Sequence, residues 1–257
     1  MIKFFRKIRQ NLLSEGKTGK YFKYAIGEII LVVIGILIAL QINNWNENKK
    51  LQKEEIKFLK NFKQSISADL EYNNLNSNRY SLTKEAINRL LKHFEQDLPY
   101  NDSLEYYFGR ITQAWSPKIN MEVFETLKSN DLNLISNDNL RNKLISYYSW
   151  SDDILNKDIE RYIAVIDNAS LNIFNTRFNA LWNGNYKKYK STGIIEDLEL
   201  RMIPNNYDEL KKDKEFIYFL KSLKNQYTWL IEDDQNSINK KSIDLIKTID
   251  SELNHRN

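Results

Sequence analysis

The 257-residue chain contains no cysteine, which excludes disulfides, thiolate nucleophiles, iron–sulfur clusters and cysteine-ligated zinc. Histidine is almost as scarce, with only His93 and His255. Neither has a second histidine at a metal-ligand spacing, and together they do not supply the Glu-x-x-His on two helices that a di-iron bundle needs. No P-loop, G-x-G-x-x-G or G-x-S-x-G pattern is present, so the ordinary nucleotide and hydrolase signatures are missing. No cofactor is expected. Seven glycines and three prolines are few breakers for this length, which favours long helices. Asparagine and lysine are abundant throughout, and this reads as compositional bias, not as a binding device.

The formal charge of +4 is unevenly placed. Residues 1–23 hold Lys3, Arg6, Lys7, Arg9, Lys17, Lys20 and Lys23 against Glu15 alone. Beyond Glu28 the remaining 31 basic and 32 acidic residues nearly cancel. A nucleic-acid binder needs a basic stripe on its folded part, and no net charge is left there to make one, so nucleic acid is excluded as a partner.

Between these regions lies YAIGEIILVVIGILIALQI, from Tyr24 to Ile42, with an unbroken apolar run from Ile29 to Leu40. Nineteen helical residues rise about 28 Å, close to the hydrocarbon thickness of a bilayer. Leu37 and Ala39 supply only one of the two small residues of a cleavage site, so the segment reads as a retained signal anchor. The cationic excess before it places the N-terminus in the cytoplasm and the rest in the periplasm. This predicts a cytoplasmic basic segment at 1–23, a transmembrane helix at 24–43 and an extracytoplasmic helical domain at 44–257. Tyr21, Phe22 and Tyr24 fall at the inner interface and Trp45 at the outer one, as amphipathic rings prefer. Residues 2–13 pattern as a short helix lying on anionic lipid. Within the span Glu28 either snorkels to the cytoplasmic interface beside Lys23 or faces a partner helix. It shares a face with Gly35 and Ala39, small residues at i and i+4, which predicts a seam for a second copy or a partner helix.

After Trp45 the apolar period is helical nearly everywhere. Ile56, Leu59, Phe62, Ile66 and Leu70 mark one stripe, and Leu75, Leu82, Ala86, Leu90 and Phe94 another, separated at Asn73 and Asn74 as two helices or one bent one. Pro99 ends the second. Short helices follow within 102–130, divided by a loop at Ala114 to Lys118, and Asn137 and Asp138 cap the next element. From Leu140 to Leu181 one stripe persists, broken near Asn168. The stretch NGNYKKYKSTG from Asn183 reads as a loop. A final helix carries Phe216, Leu220, Leu223, Tyr227, Leu230, Ile238, Leu245, Ile249 and Leu253, interrupted at Asp233 to Asn236. The fold class is all-α: a single transmembrane helix followed by a helical bundle.

Paired acids are the only acid–base candidates, Asp152 with Asp153 and Asp233 with Asp234, but adjacent helical positions diverge by about 100° and send at most one acid inward. A polar break in an apolar stripe could line a pocket with Tyr147, Tyr148, Trp150, Asp153, Tyr227, Trp229 and Asp234.

Two blocks, GKYFKYAIGEIILVVIGILIALQINNWNE and ETLKSNDLNLISNDNLRNKLISYY, resemble a family of bacterial single-span proteins, domain-of-unknown-function family 6090. The resemblance implies single-span topology and bacterial origin and transfers no functional residue. The expected function is a non-enzymatic, membrane-anchored module binding a protein partner or small ligand. The alternatives are a periplasmic enzyme using carboxylates and a structural tether.

Overall fold

The computed structural model describes residues 18–154, 160–230 and 236–256. The interfacial segment 2–13 and the acids Asp233 and Asp234 lie outside the described residues. Contacts divide the chain into two units, Met1–Lys57 and Phe58–Asn257.

The first element, α1, is Thr18–Glu95. Its length follows from the missing breakers, since no glycine lies between Gly35 and Gly109 and no proline precedes Pro99. It stops in a Schellman turn: Leu98 N–H donates to the His93 carbonyl at 3.1 Å and Asp97 N–H to the Phe94 carbonyl at 3.2 Å. Asp97 takes the left-handed conformation this turn requires, φ 49°, and its carboxylate is clamped by Lys211 at 2.7 Å. Pro99 then forbids re-entry into the helix.

The second unit continues with α2, Ser103–Arg110; α3, Glu122–Asn130; α4, Asp138–Ile154; and α5, Glu160–Ala169. A π turn, Ser170–Phe174, and a last turn, Asn175–Arg177, extend α5. Then come α6, Tyr186–Thr192; α7, Tyr207–Leu210; α8, Lys214–Trp229; and α9, Asn236–Arg256. Capping residues set several starts: Asn137 Oδ1 accepts from Leu140 N–H, and Asp213 Oδ1 accepts from both Glu215 and Phe216 N–H. Among the described residues the only β pairing is two isolated bridges, Phe178 with Pro204 and Asn183 with Arg201, so the all-α expectation stands.

Two local expectations are corrected. The predicted loop after Asn183 contains α6, because Asn185 caps it by accepting from Lys188 N–H and Gly193, at φ 69°, closes it. At seven residues it is too short to show a period. The predicted break near Asn168 is a π turn that keeps the backbone helical.

At the asparagine-rich stretch, of the two alternatives the single helix holds: α1 runs on without interruption. Asn73 donates through Nδ2 to the Lys118 carbonyl at 2.9 Å and accepts from Lys118 N–H at 2.7 Å. One turn on, Asn76 Nδ2 donates to the Ser116 carbonyl at 2.8 Å, and one turn back, Asp69 Oδ2 accepts from Asn120 N–H at 2.7 Å. Amide side chains that would compete with helical hydrogen bonds are instead occupied by the loop between α2 and α3. The inward face of α1 therefore reads Phe62, Ile66, Asp69, Asn73, Asn76, Tyr80, and Leu75 and Leu82 are exposed.

This polar seam separates two apolar cores. One gathers Leu59, Phe62 and Ile66 of α1 with Phe124, Leu127, Leu140, Leu144, Tyr148, Ile238 and Ile249. The other gathers Tyr80, Ile87, Leu90 and Phe94 with Leu104, Phe108, Tyr162, Phe174, Phe216, Leu220 and Tyr227. Replacing Asn73 by alanine strands both backbone groups of Lys118 and is expected to cost about 1–3 kcal/mol in denaturant unfolding. Asn73→Asp, which keeps the acceptor and loses the donor, falls between. A loss below about 0.5 kcal/mol for the alanine variant, the range of an ordinary surface change, contradicts a clamping role.

Candidate functional site

In the first unit the apolar segment from Ile26 to Ile42 exposes all its large side chains, and an 18-residue window of this helix is long and apolar enough to cross a membrane. It fits a single transmembrane helix followed by a helical unit. Gly35 has no atom within 4 Å of where a β-carbon would stand, so its face is open to a second helix. Trp45 carries the Lys49 ammonium 3.8 Å above its ring, one turn further along.

In the second unit a cleft of about 360 Å³ opens between α4 and α9. It is lined by Asn139, Asn142, Lys143, Ser146, Tyr147, Lys241, Asp244 and Leu245. At its floor the Tyr147 hydroxyl and Ser242 Oγ are 2.9 Å apart, and burial pushes the tyrosine up to about 12. Beside it Lys241 Nζ sits 4.6 Å over the ring of Trp150. The lining is amide, hydroxyl, ammonium and one carboxylate, with Leu245 the single aliphatic side chain.

The seven residues expected to share a pocket are divided by the two cores. Tyr147 lines the cleft, and Trp150 touches it only through Lys241, which lies over its ring. Tyr148 is fully buried in the same core, stacked on Phe124 at 4.6 Å. Tyr227 belongs to the other core, with Tyr80 at 5.6 Å and Tyr162 at 5.3 Å. Trp229 is 69% exposed and Asp153 is exposed, while Asp234 lies outside the described residues. The long stripe that links these residues in sequence thus serves two separate cores.

A site that sequence reasoning missed lies near the seam. Arg110, at the end of α2, is 4% exposed. Its Nη1 donates to the Tyr106 hydroxyl at 3.1 Å and its Nη2 to the Arg79 carbonyl at 3.3 Å, and it has no carboxylate partner among the described residues. Its Nε–H and the indole N–H of Trp115 are both buried and make no hydrogen bond among the described residues. Both residues line one small pocket with Arg79, Tyr106, Gln113, Glu199 and Leu200. Arg79 lies over Trp115 at 4.4 Å and donates to Asn76 Oδ1 at 3.1 Å. Behind this wall Tyr227 donates to the Gln113 carbonyl at 2.9 Å, and burial raises its hydroxyl far above the usual range. In sequence Arg110 looks like an ordinary cation at a helix end. Only the fold reveals that it is enclosed, because the segment 199–202 passes over Gly109.

Among the described residues no group of three or more His, Asp or Glu side chains could hold a metal. No curated protein and no solved structure matches the chain. Residues 28–131, which hold most of the apolar segment together with Arg79, Arg110 and Trp115, match the family model described as Family of unknown function (DUF6090).

Proposed function

We propose that the chain is a single-span membrane protein, N-terminus in the cytoplasm, whose folded second unit works in the periplasm as a binding module for a small ligand or protein partner. The observation that carries this reading is the helix surface from Ile26 to Ile42, apolar and exposed, with seven cations and one acid before it and a nearly neutral chain after it. Water would penalise such a surface strongly, and lipid removes that penalty. A binding role is supported by the α4/α9 cleft, whose lining of two asparagines, two lysines, Asp244, Ser146 and Tyr147 offers several polar contacts to a guest.

Alkaline phosphatase fused after His255 is expected to be active in a bacterial host, and carbonate washing is expected to leave the protein in the membrane. A cytoplasmic reporter overturns the orientation, and release by carbonate overturns the span. The face formed by Glu28, Gly35 and Ala39 is proposed as the seam for a second copy or a partner helix. Gly35→Ile is expected to reduce self-association in a membrane two-hybrid assay about five- to tenfold. Unchanged association removes the homodimer reading.

A further inference from the structure

We propose that the pocket walled by Arg110, Arg79 and Trp115 binds a carboxylate group, one oxygen seated on Arg110 Nε–H and the Trp115 indole N–H and the remainder of the ligand directed out of the mouth. A buried guanidinium without a counter-charge is costly, and so is each buried donor without an acceptor. Both conditions meet at one place: Arg110 is enclosed, its Nε–H is unpartnered, and the unpartnered indole N–H of Trp115 lines the same pocket. Two N–H donors beside a guanidinium ask for an acceptor that carries negative charge.

The surrounding charges favour such a guest. Arg79 adds a second guanidinium, stacked on the indole. The single carboxylate in the lining, Glu199, is held by Lys188 at 2.7 Å. The free interior, about 10 Å³, admits roughly one oxygen-sized atom. It therefore suits the tip of a planar carboxylate better than tetrahedral phosphate or sulfate, whose oxygens diverge in three dimensions. Arg110 Nη2 is already engaged by the Arg79 carbonyl, so the ligand oxygen meets this guanidinium through Nε–H.

This gives the proposed binding module a ligand class, and it stands apart from the membrane placement, because its test does not depend on topology. The probe is sodium acetate, titrated into full-length protein in detergent at constant ionic strength. The readout is emission from a variant in which Trp45, Trp150, Trp182 and Trp229 are replaced by phenylalanine, leaving Trp115. Acetate is expected to change the emission saturably, and chloride and inorganic phosphate at equal ionic strength are expected not to. Trp115→Phe, followed by the acetate-dependent rise in unfolding temperature, should weaken binding about tenfold, the loss of one hydrogen bond to a charged group. Arg110→Gln should abolish the rise. Because Arg110→Gln could misfold, Trp115→Phe serves as the milder variant, and far-ultraviolet circular dichroism confirms that each is folded. A response without saturation, an equal response to chloride or phosphate, or an unchanged acetate affinity in Trp115→Phe each overturns the proposal.

Discussion

Phe216→Ala is expected to destabilise the second unit by about 3–5 kcal/mol, a large part of the 5–15 kcal/mol that holds a typical domain together. Phe216 has no exposed surface. The rings of Phe94, Phe108, Phe174, Phe178 and Phe219 stand around it at centroid distances of 5.6 to 6.4 Å. These neighbours come from α1, α2, the π turn after α5, the extended residue Phe178 and α8, so truncation opens a void that no single helix can close by a local shift. The position is also fixed by the start of α8, where Asp213 accepts from Phe216 N–H at 3.1 Å and pairs with Arg177 at 2.8 Å. Tyr218, two residues on and 73% exposed, is the control, and its alanine variant should stay within about 0.5 kcal/mol of the parent. Urea unfolding in detergent measures both. A loss under about 1.5 kcal/mol for Phe216→Ala would mean that this core rearranges readily and that its aromatic packing carries little of the stability.

Gly109→Ala has two opposed effects, and their sizes decide the sign. Alanine in a helix is favoured over glycine by about 1 kcal/mol. At this position, however, the added β-carbon would stand 2.0 Å from the Leu200 carbonyl oxygen and 2.4 Å from its carbon. Both are backbone atoms, so no rotamer change relieves the clash. The segment above is tied down by Arg201 N–H to the Asn183 carbonyl at 2.8 Å and Met202 N–H to the Glu105 carbonyl at 3.0 Å. Moving it breaks those bonds, and the net outcome is a loss of about 2–4 kcal/mol. Glu199 and Leu200 border the Arg110 pocket, so the same variant should also weaken acetate binding. A variant as stable as the parent would show that residues 199–202 do not lie against α2 as described.

Much of the helical pattern was legible because periodicity reports burial wherever one face meets one core. Leu140, Leu144, Tyr148 and Ser151 are buried as their spacing predicts, and so are Phe216, Leu220, Leu223 and Tyr227. The reading failed at the seam, where hydrophobicity and burial part company. Asp69, Asn73 and Asn76 are buried because they satisfy a loop's backbone, while Leu75 and Leu82, apolar and correctly spaced, face outward. It failed also for the pocket residues, since a stripe gives no hint that its two halves serve different cores. Arg110 was invisible for a related reason: what encloses it includes Leu200, ninety residues away, and no local pattern reports that approach.

The seam of Asp69, Asn73 and Asn76 has a thermodynamic corollary. Hydrogen bonds are short-ranged and directional, and a boundary built from them passes on little of the packing strain that interlocked hydrocarbon would share. Damage on the two sides should then be independent, the free-energy losses of a void in each core summing to within about 0.5 kcal/mol. The second unit would behave as two separately insulated compartments along one helical spine.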